Sequence, residues 1–287
     1  AAREAVRLRR ALVEESPTVY TPDLAMSLNS LANILSEVGE RNEALGAARE
    51  AVELYRGLAA ASPAAYTPDL AGSLNNLANR LSEVGERNEA LGAAREAVEL
   101  YRALVEESQV AYTPNLAMSL TNLANRFSAV GERNEALEAA REAVELYRGL
   151  AEASPVAYTP DLAMSLNNLA NRLSEVGERN EALEAAREAV RLRRALAEAS
   201  PQAYTPDLAG SLTNLASILS AVGEQDRALE AAREAVELYR GLAEASPQAY
   251  TPRLATSLNN LVIRLSAVGE RNEALVAARE AVRLRRA

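Results

Sequence analysis

The chain has 287 residues, 48% hydrophobic and 25% charged, with a formal net charge of −9; that composition supports a packed core and argues against disorder. The acidic balance excludes the continuous basic face that phosphate binding needs, so no nucleic acid is expected as a partner, and patches such as Arg7 to Arg10 are too short to supply one. Cysteine, histidine and lysine are absent, which removes disulfides, soft metal ligands and the usual catalytic bases and covalent nucleophiles.

Residues 1 to 15 place Ala2, Ala5, Val6, Leu12 and Val13 at helical spacing, as the second helix of a unit whose first helix is missing. Ser16 and Pro17 are expected to stop it. The first full unit then opens on Tyr20-Thr21-Pro22-Asp23, with Thr21 as N-cap, Pro22 at the first helical position and Asp23 beside the positive end of the helix dipole. Thr67, Thr113, Thr159, Thr205 and Thr251 repeat the signal, with Asn115 and Arg253 in place of the aspartate. A cation at a helix start, as at Arg253, is expected to cost roughly a few tenths of a kcal/mol.

Wound as a helix, Leu24, Ala25, Leu28, Leu31, Ala32, Leu35 and Val38 share one arc, and Met26, Ser30, Asn33 and Glu37 the opposite one. Gly39 is expected to end that helix in a left-handed conformation, with Asn42 as the next N-cap. The second helix, 42 to 61, gathers Ala44, Leu45, Ala48, Ala51, Val52, Tyr55, Leu58 and Ala59, widened by Ala47 and Leu54. So short a connection makes the two helices an antiparallel hairpin. Gly46 and Gly92 fall on the far face, where Glu138, Glu184 and Glu230 stand in other units. Positions 57, 103, 149, 195 and 241 hold only Gly or Ala, which suggests a close neighbour there. Tyr55, Tyr101, Tyr147 and Tyr239 alternate with Arg9, Arg193 and Arg285. A buried site does not accept an unpaired arginine, so this one is expected near the open end of the hairpin, with Arg193 in water or reaching Asp161 or Asp207.

This pattern recurs every 46 residues: tyrosine at 20, 66, 112, 158, 204 and 250, and glycine at 39, 85, 131, 177, 223 and 269. Self-similarity at such a period signals stacked units that are stable only against their neighbours. The expected organisation is one domain: a partial unit at 1–19, repeats at 20–65, 66–111, 112–157, 158–203 and 204–249, and a truncated last repeat at 250–287. Residues 277 to 287 are identical to residues 1 to 11, and the chain starts and stops inside a helical pattern. It therefore reads as a fragment of a larger, bacterial protein or as an engineered array. No apolar run approaches the ~20 residues that cross a bilayer, and no signal-like start is present, so a cytoplasmic location with no membrane contact is expected.

These residues resemble the tetratricopeptide repeat along the whole chain. Leu28, Leu31, Ala32 and Leu35 fall in that family's first-helix pattern, Gly39 in its turn, and Ala44, Leu45, Ala48 and Ala51 in its second helix. The longer wording, PDLAxSLNNLAxxLxxxGExxEALxAAREAVxLYRxLA, looks most like the lengthened repeats of kinesin light chains and of bacterial sensor proteins. The period of 46 exceeds the common length of about 34, with the excess assigned to a longer second helix and to the SPxAYTP connection. The resemblance implies an all-α fold, a right-handed α-solenoid of antiparallel helix hairpins, and a peptide or protein segment bound along the face that the first helices line.

On that face the sequence presents two asparagine rows: Asn33, Asn79, Asn125 and Asn171, and Asn76, Asn122, Asn168, Asn214 and Asn260. An amide offers donors and an acceptor together, so such rows can pair with the backbone of an extended peptide; the competing reading is a solvated face copied by duplication. Met26, Met118 and Met164 lie one turn earlier, alternating with Gly72 and Gly210, and can make adaptable apolar contacts. Arg80, Arg126, Arg172 and Arg264 flank the rows; they either receive carboxylates or pair with Glu83, Glu175 or second-helix glutamates. Ser217 and Ile263 interrupt the rows, so the grip is expected to weaken there. No enzyme, cofactor or metal site is expected, since the acids recur in every repeat as a solvated face does. A rival to peptide binding is structural: a head-to-tail contact between the chain's ends would be heterologous and propagate as a filament. A sensor or regulatory module of a larger signalling protein is a further alternative.

Overall fold

The computed structural model describes residues 1–286, which form thirteen α-helices and no strand. After α1 (Ala2–Glu15), the first helices of successive hairpins are α2 (Pro17–Glu37), α4 (Pro63–Glu83), α6 (Gln109–Val130), α8 (Pro155–Val176), α10 (Pro201–Ala221) and α12 (Pro247–Ala267). Their partners are α3 (Arg41–Ala61), α5 (Arg87–Glu107), α7 (Arg133–Ala153), α9 (Arg179–Ala199), α11 (Gln225–Ala245) and α13 (Arg271–Arg286). No helix among the described residues is long and apolar enough to cross a membrane.

The turn inside each hairpin follows from its glycine. Gly39 has φ 83°, and the equivalent glycines have φ between 83° and 88°. The Gly39 amide donates to Ser36 O (3.0 Å) and the Glu40 amide to Leu35 O (2.8 Å), the paired bonds of a Schellman motif that satisfy otherwise orphaned carbonyls. Asn42 is not the next N-cap: α3 starts at Arg41, and the cap position, Glu40, makes no side-chain cap bond.

The other junction differs from expectation. Each first helix starts four residues earlier than its Thr-Pro signal, so a single extended residue separates it from the preceding helix, as Ser62 does with φ −145° and ψ 79°. Pro17 takes the first helical position and Pro22 lies inside the helix. Thr21 caps nothing; its hydroxyl donates back to Pro17 O at 2.7 Å. Asp23 and Arg253 therefore sit in the second turn, away from the helix terminus, and the expected dipole penalty at Arg253 does not apply. The extra length of the repeat is shared: the second helix is long as expected, and the SPxAYTP connection has joined the first helix, so both run to about 21 residues. Ser-Pro and Thr-Pro are both credible starts; the earlier one prevails because Ser16 O already accepts the Tyr20 amide (3.2 Å).

The helices group into two compact units, Ala1–Leu146 and Tyr147–Ala287, divided within α7. In each, consecutive helices pack along the expected arcs: Ala25, Ala32, Ala44, Ala48 and Ala51 are fully inaccessible, and Leu28 and Val52 nearly so. Alanine at these crossings permits close approach, and the leucines fill the space between. Val38, placed by its spacing on the buried arc, is exposed beside the turn. In both units the first helices also approach one another, α2 with α4 and α4 with α6, α8 with α10 and α10 with α12. The second helices α3 and α5 in the first unit, and α9, α11 and α13 in the second, make no such approach to one another among the described residues. Each unit thus has a tight first-helix face and a splayed second-helix face.

Candidate functional site

The splayed face is held by arginine and glutamate. In the first unit Arg49 bridges to Glu86 and Glu89, both at 2.8 Å, Arg56 to Glu96 at 2.7 Å, and Arg102 to Glu142 at 2.6 Å. The second unit repeats this with Arg194 to Glu234 at 2.8 Å and Arg240 to Glu280 at 3.1 Å. These straps cross apolar slots floored by first-helix leucines, such as Leu120 and Leu123. Most are exposed and contribute at most about 1 kcal/mol each; together they engage Glu86, Glu89, Glu96, Glu142, Glu234 and Glu280.

On the first-helix face, Asn33 is exposed, and Asn76, Asn79, Asn122, Asn125, Asn168, Asn171, Asn214 and Asn260 are half-buried. Asn214 donates to Asn167 Oδ1 (3.0 Å) and O (3.3 Å). The other row members make no side-chain hydrogen bond among the described residues, so their amides stay available. A further asparagine position, unremarked in the sequence, does the structural work: Asn29 donates to Ser73 Oγ and Asn75 to Ser119 Oγ, each at 2.5 Å, tying successive first helices. The signal for it is the doublet Asn75-Asn76, repeated at 167–168 and 259–260. One residue of the doublet turns to the neighbouring helix and the next faces out.

Met26, Met118 and Met164 are exposed on this face. The arginines divide. Arg80 pairs with Glu83 at 3.1 Å and Arg172 with Glu175 at 3.0 Å, one turn away in the same helix. Arg126 and Arg264 have Ala129 and Ala267 at that spacing, so that partner is missing. Burial lowers the pKa of Arg126, opposed by the charge of Glu83; it lowers that of Arg264 without an opposing carboxylate. The Nε atoms of Arg80, Arg126, Arg172 and Arg264 are all buried without a partner. Packing fixes these guanidinium groups, while their charge is neutralised only in part.

The Tyr/Arg position lies deeper than its composition suggested. Arg193 is 7% exposed and reaches Asp207 at 2.6 Å. The tyrosines there are buried, and burial, with smaller contributions from Asp69 and Asp23, pushes the Tyr55 phenol up to about 12. Nothing packs on the Gly/Ala position: Gly57, Gly149 and Gly241 are exposed, and an added methyl group meets no atom within 4 Å. The Tyr-bearing segment that leads into the next unit, the nearest candidate for that neighbour, is part of the following first helix instead.

A comparison with curated protein sequences gave no match. Solved structures similar to the chain include BtubC (BKLC) from P. vanneervenii, 20% identical over 84% of this chain and 89% of that one, with a TM-score of 0.67. The apo form of RapI is 16% identical over 99% and 90%, with a TM-score of 0.65. A Podosopora anserina protein described as a kinesin light chain with nearly identical TPR-like repeats is 21% identical over 76% and 96%, with a TM-score of 0.58. At these identities the likeness concerns the fold. The tetratricopeptide repeat model matches residues 24–59, 70–109, 116–153, 162–201, 208–245 and 254–287; the chain belongs to the tetratricopeptide repeat family.

Proposed function

We propose that the chain is a non-catalytic recognition module that holds an extended peptide or protein segment on its first-helix face. The observation that carries this reading is the set of eight asparagine side chains, Asn33, Asn76, Asn79, Asn122, Asn125, Asn168, Asn171 and Asn260, that make no hydrogen bond among the described residues, beside a position where Asn29 and Asn75 tie neighbouring helices. Each amide can donate to a peptide carbonyl and accept from a peptide amide, contributing about 1 kcal/mol net per bond. Backbone pairing of this kind gives affinity with little demand on the ligand's side chains. The methionines supply apolar contact, and Arg126 and Arg264 favour a ligand with acidic residues.

Selection of a displayed random peptide library on the folded protein tests this. Enriched peptides should lose binding when Asn79, Asn125 and Asn171 are replaced by alanine; enrichment indifferent to that change would remove the face from the function. Head-to-tail self-association is the rival, because Leu8, Leu275, Val276 and Val282 are exposed on α1 and α13. A mass in solution that rises with protein concentration would favour it.

A further inference from the structure

Four residues that meet in one place in repeats five and six, Gly210, Thr213, Arg253 and Thr256, are combined in no other pair of neighbouring repeats, although Gly72 matches Gly210 and Thr121 matches Thr213. The first-helix position that holds methionine in three repeats is Gly210 in the fifth and Thr256 in the sixth; the helix-tying asparagine is Thr213; and the residue after Thr-Pro, an acid in four repeats, is Arg253. Together with Tyr239 and Ser257, these side chains line a cavity of about 360 Å³ between α10, α11 and α12, near the lower end of the ~300–1,000 Å³ of small-ligand sites. In the second and third repeats the same corner is occupied. Asn75 is 2% exposed and donates to Ser119, Asn115 donates to the Tyr101 hydroxyl at 3.5 Å, and Met118 stands where Thr256 does. Thr213 and Thr256 instead donate to carbonyls of their own helices, Ala209 O at 2.9 Å and Pro252 O at 3.0 Å. Against that corner, Asn75 has shrunk to Thr213 and Met118 to Thr256, and the neutral Asn115 has become the cation Arg253, around a single space in which Gly210 matches Gly72.

The chemistry left there is that of an anion receptor. Arg253 and Tyr239 line the cavity together, so the guanidinium N–H groups and the phenol proton can both be offered to a ligand. Burial raises the Tyr239 pKa, with Arg253 opposing through its charge and hydrogen bond, so the phenol stays a donor at neutral pH. The nearby acid, Asp207, is taken up by Arg193 at 2.6 Å and does not neutralise Arg253. Asn260 lies one turn further along α12 than Thr256, where an extended segment can continue past the cavity.

We propose that this cavity receives the carboxylate side chain, Asp or Glu, of an internal residue of the bound segment, and so reads one acidic position in a ligand otherwise held by its backbone. The inference rests on the peptide reading above, and its test separates the two. Gly210→Met and Arg253→Asp install residues that other repeats carry at the same positions, and the Cβ at position 210 would lie 3.6 Å from the Tyr239 hydroxyl, an ordinary contact; both variants should fold, as their melting curves would verify. N-acetylglutamate methylamide, titrated into ¹⁵N-labelled protein, is expected to shift the Gly210 and Thr256 amide signals, with the glutamine analogue about tenfold weaker. Both variants should abolish that difference. Equal binding of the two probes, or a glutamate preference that survives in both variants, overturns the proposal. In the displayed library, an acidic residue fixed at one position on the wild type and on neither variant supports it. Peptides that depend on the asparagines but show no acidic position keep the recognition module and overturn the pocket. Probe binding without any enriched peptide keeps the pocket and overturns the module. Preference for a free over an amidated C-terminus, without preference for an internal acid, also overturns the assignment.

Discussion

The two faces of each unit are copied from the same repeat, yet they use their polar side chains differently. On the second-helix face arginines close on glutamates of the next second helix, as Arg56 does on Glu96 and Arg194 on Glu234. On the first-helix face the asparagines of the two outward rows, Asn214 excepted, make no side-chain hydrogen bond among the described residues. The difference is one of spacing. First helices come close enough for an asparagine to meet a serine, so the adjacent position needs no partner and faces outward. Second helices stand apart, and only side chains as long as arginine and glutamate span the gap. A duplicated sequence thus acquires a self-satisfied face and an unsatisfied one, and the second is where a ligand gains most.

The comparison is broken or sharpened most strongly by exchanging the faces in binding assays. Replacing Asn79, Asn125 and Asn171 with alanine is expected to weaken a selected peptide by about 100-fold, from three bonds of about 1 kcal/mol each, with the melting temperature nearly unchanged. Glu50→Gln, Glu96→Gln and Glu142→Gln together should leave peptide affinity intact and lower the melting temperature slightly at low salt, an effect that salt removes. If the strap variant loses the peptide and the asparagine variant keeps it, the faces have been assigned the wrong way round.

A smaller effect is expected between the faces, at Arg193. Asp207→Ala leaves a buried guanidinium with neither its carboxylate nor a partner for its Nε, and should cost about 1–3 kcal/mol, less than for a fully buried pair because Asp207 is half exposed. Arg193→Tyr restores the residue found in neighbouring repeats and should be neutral or stabilising in denaturant unfolding. Destabilisation by both substitutions would show that the arginine is needed for more than filling the tyrosine's place.

The tyrosines at that position give the hairpin interior a pH signature. Tyr55 is pushed up to about 12 by burial, and burial also raises Tyr101, Tyr147 and Tyr239, against about 10 in the unfolded chain. Their contribution is complete below pH ~10. Above it the unfolded state loses phenolic protons first, so stability falls with rising pH and the Tyr55 share is gone above pH ~12. Melting curves followed beside phenolate absorbance should show tyrosine ionisation arriving with unfolding; full ionisation of these residues in a folded protein would place them nearer to solvent than the structure does.

Much of the fold was legible because duplication repeats each local signal six times. Gly39 and its counterparts marked the turn, and the 3.6-residue arcs named the core from Leu24 to Ala59. The first-helix start was misread because Ser16-Pro17 and Thr21-Pro22 satisfy the same rule, and nothing local says which capping residue the tertiary packing will use. Of the site, the two outward asparagine rows were visible, but Asn29 and Asn75 were not: whether an asparagine is spent or spare depends on the neighbouring helix, 44 residues away. The cavity beside Tyr239 was hidden for the same reason, since Gly210, Thr213 and Arg253 look like scattered drift until α10, α11 and α12 are packed together.

The smallest expected effect tests whether the second-helix face is only structural. Gly46 is exposed within α3, and a methyl group added there meets no atom within 4 Å. Gly46→Ala should therefore raise stability by about 0.5–1 kcal/mol through helix propensity and a less flexible unfolded chain. Gly39→Ala, seven residues earlier, should lower stability by about as much or more, because φ there is 83° and alanine is strained in the left-handed region. Gly46 also lines the apolar slot between α1 and α3, with Leu28 and Leu31 on its floor. If the alanine variant melts higher and binds the selected peptide unchanged, the slot is a by-product of splayed helices. If it melts higher and loses the peptide, the ligand crosses this face, and the division of labour between the two faces fails.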